Sequence, residues 1–197
     1  MKLLKIAGVI LSAALLLAGC GKESSTASEA GKPAAAKTPV TTAAIEAEAK
    51  GFTVGPAMAA RTVYVFFDPQ CPHCAALWQS SKPLKTQAKF VWIPVGLIGE
   101  TSIAQGATIL SSSDPIAKME ENEASVLAKT GGISAGSNID AQKAVVRKNT
   151  DLFTRFGFEG VPTLVALNAQ TGALVTNEGS LPTAELAAKL GLQVPAQ

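Results

Sequence analysis

The apolar positions of this chain fall into two kinds of pattern. Residues 62–67 (Thr-Val-Tyr-Val-Phe-Phe) and 90–95 (Phe-Val-Trp-Ile-Pro-Val) are nearly continuous runs of β-favouring residues. Such runs mark strands covered on both faces. Pro94 ends the second run or makes it irregular, because proline has no N–H for a ladder. Residues 164–167 and 173–176 read as two further strands joined by a hairpin-type loop over 168–172. Residues 52–54 read as a short edge strand, preceded by a short helix over 43–50.

Between these runs the spacing is helical. Residues 71–88 predict a helix with a kink at Pro83. In 102–110, Ile103, Ala107 and Leu110 share a face. Asp114-Pro115 is a start signal, an N-cap followed by proline in the first turn. The stripe that follows, Ile116, Met119, Glu123 and Leu127, is broken by a glutamate, and Ala124 and Val126 widen it. Gly131-Gly132 ends that helix. The next runs from about 138–140 to 156, with Ala141, Val145, Leu152 and Phe156 inward and Lys148 and Asn149 toward water. Residues 182–190 form a last helix, capped by Gly191. The order predicts an α/β fold: a mixed sheet flanked by helices on both faces. A helical insertion, about residues 101–157, separates the second strand of the parallel pair from the strand after Pro162.

The first residues do not belong to that fold. Lys2 and Lys5 precede an apolar stretch over 6–17, shaped like an export signal. Leu17-Ala18-Gly19-Cys20 resembles a bacterial lipobox, which implies a signal peptide over 1–19 and a lipid attached to Cys20. The other reading is an ordinary secretory signal with a stray cysteine. Gly21, where an aspartate would resemble an inner-membrane retention signal, points to the outer membrane of a Gram-negative periplasm. Residues 20–50 read as a lipid-anchored flexible tether, rich in Ser, Ala, Lys, Pro and Thr. Residues 51–197 then form one catalytic domain. With Lys2 and Lys5 removed, the 17 basic residues fall to match the 15 acidic ones. A near-neutral chain offers no surface for nucleic acid.

Lipidation of Cys20 leaves two thiols, in Cys71-Pro72-His73-Cys74, at the point where a buried strand hands over to a helix. A loop this short constrains no unfolded chain, so the pair is chemistry rather than scaffold. Unpaired N–H groups at the helix start favour a thiolate at Cys71, and a protonated His73 adds positive charge beside it. Pro72 stiffens the turn. Cys71 is the expected nucleophile and Cys74 the resolving thiol. The competing reading, half of a zinc site, lacks ligands: zinc takes four, and here there are two cysteines and one poorly placed histidine. No other metal and no cofactor are implied. Thr163 and Gln70 are candidates to touch the site. Trp78 and Phe66 read as core. Asp68 is open between capping the turn and tuning protons.

These residues resemble the thiol–disulfide interchange family of DsbC and DsbG. The resemblance rests on residues 64–74, then Trp92-Ile93-Pro94-Val95-Gly96, then Ser113-Asp114-Pro115, then residues 157–163. It implies a thioredoxin-like fold, Cys71 as nucleophile, Cys74 as resolving thiol, and Pro162 as a cis proline facing them. Such a bond would turn the backbone of Val161 toward an extended substrate chain; the bland alternative is a trans proline opening a strand. Implied partners are exported proteins carrying thiols or disulfides, a redox partner protein, and the membrane through Cys20. Three features depart from the family. Residues 21–51 are too few and too polar for its dimerisation domain, so a monomer is expected. Cys-Pro-His-Cys is similar to the oxidase DsbA, as is Val161 before Pro162. Together they suggest a bias toward oxidation, with reductase or isomerase activity as the alternative. A non-catalytic, chaperone-like lipoprotein that holds peptides remains a third reading. Thioredoxins carry a buried acid six residues before the first cysteine, and here that residue is Val65. Another Asp or Glu, or water, must take the proton of Cys74.

Overall fold

Residues 37–194 are described by the computed structural model. The segment expected to be an export signal, residues 1–19, with Cys20 and the greater part of the expected tether, therefore lies outside the described residues. The elements run α1 (Thr42–Glu48), β1 (Phe52–Val54), β2 (Thr62–Phe67), α2 (Pro72–Ser81), β3 (Lys89–Pro94), α3 (Glu100–Ser111), α4 (Pro115–Leu127), α5 (Asp140–Phe156), β4 (Thr163–Leu167), β5 (Leu174–Glu178) and α6 (Thr183–Leu190). The sheet order is β1-β3-β2-β4-β5, with β2 and β3 parallel and the other neighbours antiparallel. This is a mixed, thioredoxin-like sheet with helices on both faces, and α3 to α5 form the insertion.

The continuous apolar run of β2 has a simple cause. It lies in the middle of the sheet, so both faces are covered. Val63, Val65 and Phe67 point to one side, where they join Trp92, Leu77, Trp78, Leu186 and Leu190. Tyr64 and Phe66 point to the other, against Ile93, Val165, Leu152, Phe153 and Phe156. The Phe66 ring lies 5.8 Å from those of both Phe153 and Phe158, close enough for edge-to-face attraction on top of burial. One end of that packed strand delivers the Cys71 loop.

Four details differ from the sequence expectation. First, α2 stops at Ser81, and Pro83 sits in a 3-10 turn over Lys82–Leu84. The ring clash and missing N–H break the helix rather than kink it. Second, α4 buries Met119, Asn122, Glu123 and Val126, while Ile116 and Leu127 are exposed. Third, α5 buries Val146 rather than Ala141, and Asn149 faces inward. The Asn149 carboxamide accepts from the Lys50 N–H at 3.0 Å and donates to the carbonyls of Lys50 at 2.8 Å and Pro94 at 3.0 Å. It closes backbone groups at the end of β3 that no strand partner reaches.

Fourth, the folded part begins before residue 51. Thr41 caps α1 by accepting from the Ala44 N–H, and Ile45 is fully buried with Val40, Ala44 and Ala49 beside it. The Thr38 N–H bonds the Arg155 carbonyl at 2.8 Å, and Arg155 pairs with Glu48. One apolar residue per turn suffices because it enters a core that α5 has already shaped. Gly51 then lets the chain pass β3 closely: a Cβ there would lie 2.2 Å from the Trp92 carbonyl oxygen. Among the described residues no helix is long and apolar enough to cross a membrane.

The Asn149→Ala variant should lose about 2 kcal/mol of stability, because it strands buried backbone groups that cost about 1–3 kcal/mol when unsatisfied. Urea denaturation checks this: the midpoint falls at constant slope. An unchanged midpoint contradicts the role assigned to the carboxamide.

Candidate active site

The site is built at the C-terminal ends of β2 and β3. Directly after β2, the carboxylate of Asp68 is fully buried. One oxygen accepts from the Gln70 N–H at 2.9 Å; the other accepts from the N–H groups of Leu97 at 2.8 Å and Ile98 at 2.9 Å. Asp68 therefore fastens the turn before Cys71 to the loop after β3. Of its two expected roles, it holds the capping one. The inserted helices clasp the same turn. Asn122 donates to the Pro69 carbonyl at 2.8 Å and accepts from the Ile133 N–H at 3.1 Å. The Gln70 side chain donates to the Gly131 carbonyl at 2.6 Å and also to Gln105, so it faces the insert.

Cys71 is the N-cap of α2, with φ −90° and ψ 115°, and Pro72 opens the helix. Proline is tolerated there because a first-turn N–H has no helical acceptor. Cys71 is 6% exposed and Cys74 is fully buried, whereas Pro72 and His73 are exposed. The pair is in the dithiol form. The Cys71 thiol is lowered to about 6, first because the Cys74 thiol donates a hydrogen bond to its sulfur. Burial works against that; the backbone N–H groups of Cys74 and His73 add to it, and the charge of His73 contributes last. The imidazole thus has a smaller part than its position in the sequence suggests. Cys74 is pushed well above the ordinary thiol range, chiefly by burial, then by its bond to Cys71 and the negative charge there. One turn of helix makes two chemically different sulfurs, one ready to ionise and one held neutral.

The Val161–Pro162 bond is cis. The Cys71 Sγ lies 3.5 Å from the Val161 carbonyl oxygen, with Pro162 buried beside it. The fold thus brings together Cys71, Cys74, Val161 and Pro162, residues some ninety positions apart. Thr163 is fully buried, and its hydroxyl donates to the Gly160 carbonyl, so that side chain holds the turn instead of facing a groove. Trp78 is core, with its indole N–H on Glu120 at 2.6 Å. Among the described residues no three His, Cys, Asp or Glu side chains gather to hold a metal ion.

Sequence reasoning missed two features. Ile98, 61% exposed, and Leu97 form an apolar rim on the loop that Asp68 holds. The other is Glu123, which is 0% exposed. One of its oxygens accepts from Asn122 at 3.3 Å; the other has no hydrogen-bond partner. Burial pushes its carboxyl up to about 8, and the negative charges of Cys71, Asp68 and Glu120 add to the shift. The signal for it was the glutamate interrupting an apolar stripe.

The sequence profile of the thioredoxin-like domain family matches residues 54–193. The thiol:disulfide interchange protein DsbG of Pseudomonas aeruginosa is 33% identical over 143 residues, 70% of this chain and 54% of its own length. The protein of the same name from Escherichia coli is 32% identical over 114 residues, 55% of this chain and 44% of its own length. The chain spans about half the length of the curated relatives it matches. A periplasmic thioredoxin-like protein of Salmonella enterica serovar Typhimurium has the same fold, with a TM-score of 0.58 at 17% identity, covering 78% of this chain and 97% of the other.

Alkylation of the reduced protein should label Cys71 and spare Cys74, with a rate that is lost as pH falls through about 6. Because the Cys74 donor outranks the His73 charge, Cys74→Ala should move that midpoint upward further than His73→Ala. The reverse order would show that the imidazole is the main support of the anion.

Proposed function

The chain belongs to the thioredoxin-like domain family, and from that premise we propose that it is a protein thiol–disulfide oxidoreductase that carries out interchange on exported proteins. The observation that carries the reading is the unequal pair: a Cys71 sulfur at about 6, a buried neutral Cys74, and the cis Val161–Pro162 backbone against the reactive sulfur. In the reduced protein the Cys71 thiolate attacks a substrate disulfide, forming a mixed disulfide and releasing one substrate thiolate. Cys74 then attacks the Cys71 sulfur, closes the internal disulfide and releases the second. In the oxidised protein a substrate thiolate attacks Cys71 and the steps run backward. The backbone of Val161 supplies the edge on which an extended substrate chain pairs beside the sulfur.

Reduction and isomerisation are the directions we favour. Both curated relatives bear the name of thiol:disulfide interchange proteins. The Cys71 value of about 6 also lies nearer the roughly 7 of thioredoxin than the roughly 3.5 of the strong oxidant DsbA. Net oxidation is the second reading. It is supported by the thiolate itself, since any stabilisation of the reduced pair makes the disulfide easier to donate. We place the protein in a Gram-negative periplasm, held by lipid on Cys20 at the outer membrane. The signal-like residues 1–19, the Leu17-Ala18-Gly19-Cys20 motif and Gly21 support that placement.

Cys71→Ser should abolish reduction of insulin disulfides and the refolding of scrambled ribonuclease. Cys74→Ser should retain attack and accumulate mixed disulfides on non-reducing gels. A wild type inactive in both assays that binds unfolded peptides no better than Cys71→Ser would instead mean a peptide-binding lipoprotein. The potential of the pair in glutathione buffers decides direction: interchange expects a value closer to about −180 mV, as in protein disulfide isomerase, than to about −120 mV. In a bacterial host, radiolabelled palmitate should enter the wild type and not Cys20→Ser, and equal labelling would rule out lipid on Cys20.

A further inference from the structure

Resolution of a mixed disulfide needs Cys74 as a thiolate, yet this sulfur is the one held neutral, fully buried and well above the ordinary thiol range. Its proton has to go somewhere, and Cys74 has no surface exposed to water. Three acidic side chains come into question: the charge of Glu123 bears on Cys74, and those of Asp68 and Glu120 bear on Glu123. Asp68, at the turn before α2, has both oxygens engaged by backbone N–H groups of Gln70, Leu97 and Ile98. Glu120 on α4 is bonded to the Trp78 indole and paired with Lys82. Glu123, one turn further along α4, keeps one oxygen with no partner while its side chain is wholly out of solvent. An unpartnered buried carboxylate is costly when charged and is tolerated when it holds a proton.

The packing fixes where this carboxyl sits. Asn122 ties α4 to Pro69, two residues before Cys71, and Met119 lies in the same core cluster as Cys71 and Cys74. The charge of Glu123 is felt at Cys74, and that of Cys71 is felt at Glu123. The position that supplies an acid in thioredoxins is the apolar Val65, fully buried in β2. We propose that Glu123 takes the proton of Cys74 when the mixed disulfide is resolved and returns it when the internal disulfide is opened. This rests on the oxidoreductase reading above.

The step balances without an added reactant. With Cys71 joined to a substrate sulfur, the Cys74 S–H proton passes to the Glu123 carboxylate. The freed Cys74 electron pair forms the bond to Cys71 Sγ. The Cys71–substrate bond breaks, and the substrate leaves as a thiolate, which takes a proton from water or from Glu123. In the opposite direction an incoming thiolate attacks Cys71, Cys74 departs as a thiolate, and the neutral Glu123 carboxyl protonates it. Conversion of Cys71 from thiolate to mixed disulfide removes one of the negative charges that disfavour ionised Glu123. The carboxylate therefore becomes easier to form at the step that needs it. The groups whose charge bears on it are Cys71 and Cys74 from α2, Asp68 from the preceding turn, and Glu120 from its own helix.

The test compares wild type, Glu123→Gln and Glu123→Asp by stopped-flow closure of a preformed mixed disulfide between Cys71 and a thionitrobenzoate leaving group, from pH 6 to 10. The inference expects Glu123→Gln to close about tenfold more slowly or worse near neutral pH, within the range general-base loss produces. Its deficit should shrink at high pH, where Cys74 ionises unaided. Glu123→Asp should recover part of the rate, and alkylation of Cys71 in the dithiol form should stay fast in all three. Equal closure rates and pH profiles overturn the inference alone. Failure of the wild type to form or close any mixed disulfide overturns the enzyme reading together with it. If Glu123→Gln does not fold, infrared titration of the wild type decides. A carboxyl band absent from Glu123→Asp should be lost near pH 8 in the dithiol form and at lower pH once Cys71 is blocked as a mixed disulfide. A band indifferent to blocking Cys71 overturns the proposal.

Discussion

Everything about this site follows from one constraint: two sulfurs a single helical turn apart, both taken out of water, cannot both carry charge. Repulsion between like charges at low dielectric is too large. The protein resolves the conflict by making Cys74 the donor and Cys71 the acceptor of one hydrogen bond. That bond favours the anion on the sulfur with a path outward, at the start of α2, and the proton on the sulfur beneath it. The backbone N–H groups of the first helical turn reinforce the choice. The His73 charge is a lesser contribution from an exposed side chain.

Holding the sulfurs in that relation is the task of the surrounding polar groups. Asp68 uses both oxygens to join the ends of β2 and β3, so the turn that delivers Cys71 cannot drift from the loop bearing Leu97 and Ile98. Asn122 and Gln105 come from the insertion and fix that turn from the other side. The insertion thus holds the turn that carries Cys71. It brings a buried acid, Glu123, that the sheet does not supply. Asn149 does similar work at a distance, closing the backbone where β3 runs out.

The sheet was legible in the sequence because β2 and β3 are buried on both faces, which leaves a signature no loop or amphipathic helix imitates. Pro162 was legible only in company: a lone proline before a strand says little, but Cys71-Pro72-His73-Cys74 upstream gave it a partner. What was not legible shares a cause. Asn122 and Asn149 are polar residues on buried faces, where periodicity assigns polar residues to water, and Glu123 stood in the apolar stripe of α4 with nothing in the spacing to show that it is wholly buried. Their burial depends on particular backbone groups, such as the carbonyls of Pro69 and Pro94, that come near only after the chain has folded. In the same way α1 has one buried residue, Ile45, and composition alone could not show that a core was waiting for it. Pro83 predicted a kink, and the missing N–H and ring clash instead ended the helix at Ser81.

The most direct test of the central claim is to follow both thiols at once. Nuclear magnetic resonance of the reduced protein, with carbon-13 at the cysteine β-carbons, resolves each sulfur over the whole pH range. The account predicts two separate steps, with Cys71 titrating at about 6 and Cys74 remaining protonated until well above the range of a free thiol. Two β-carbons that titrate together near the value of free cysteine would contradict it.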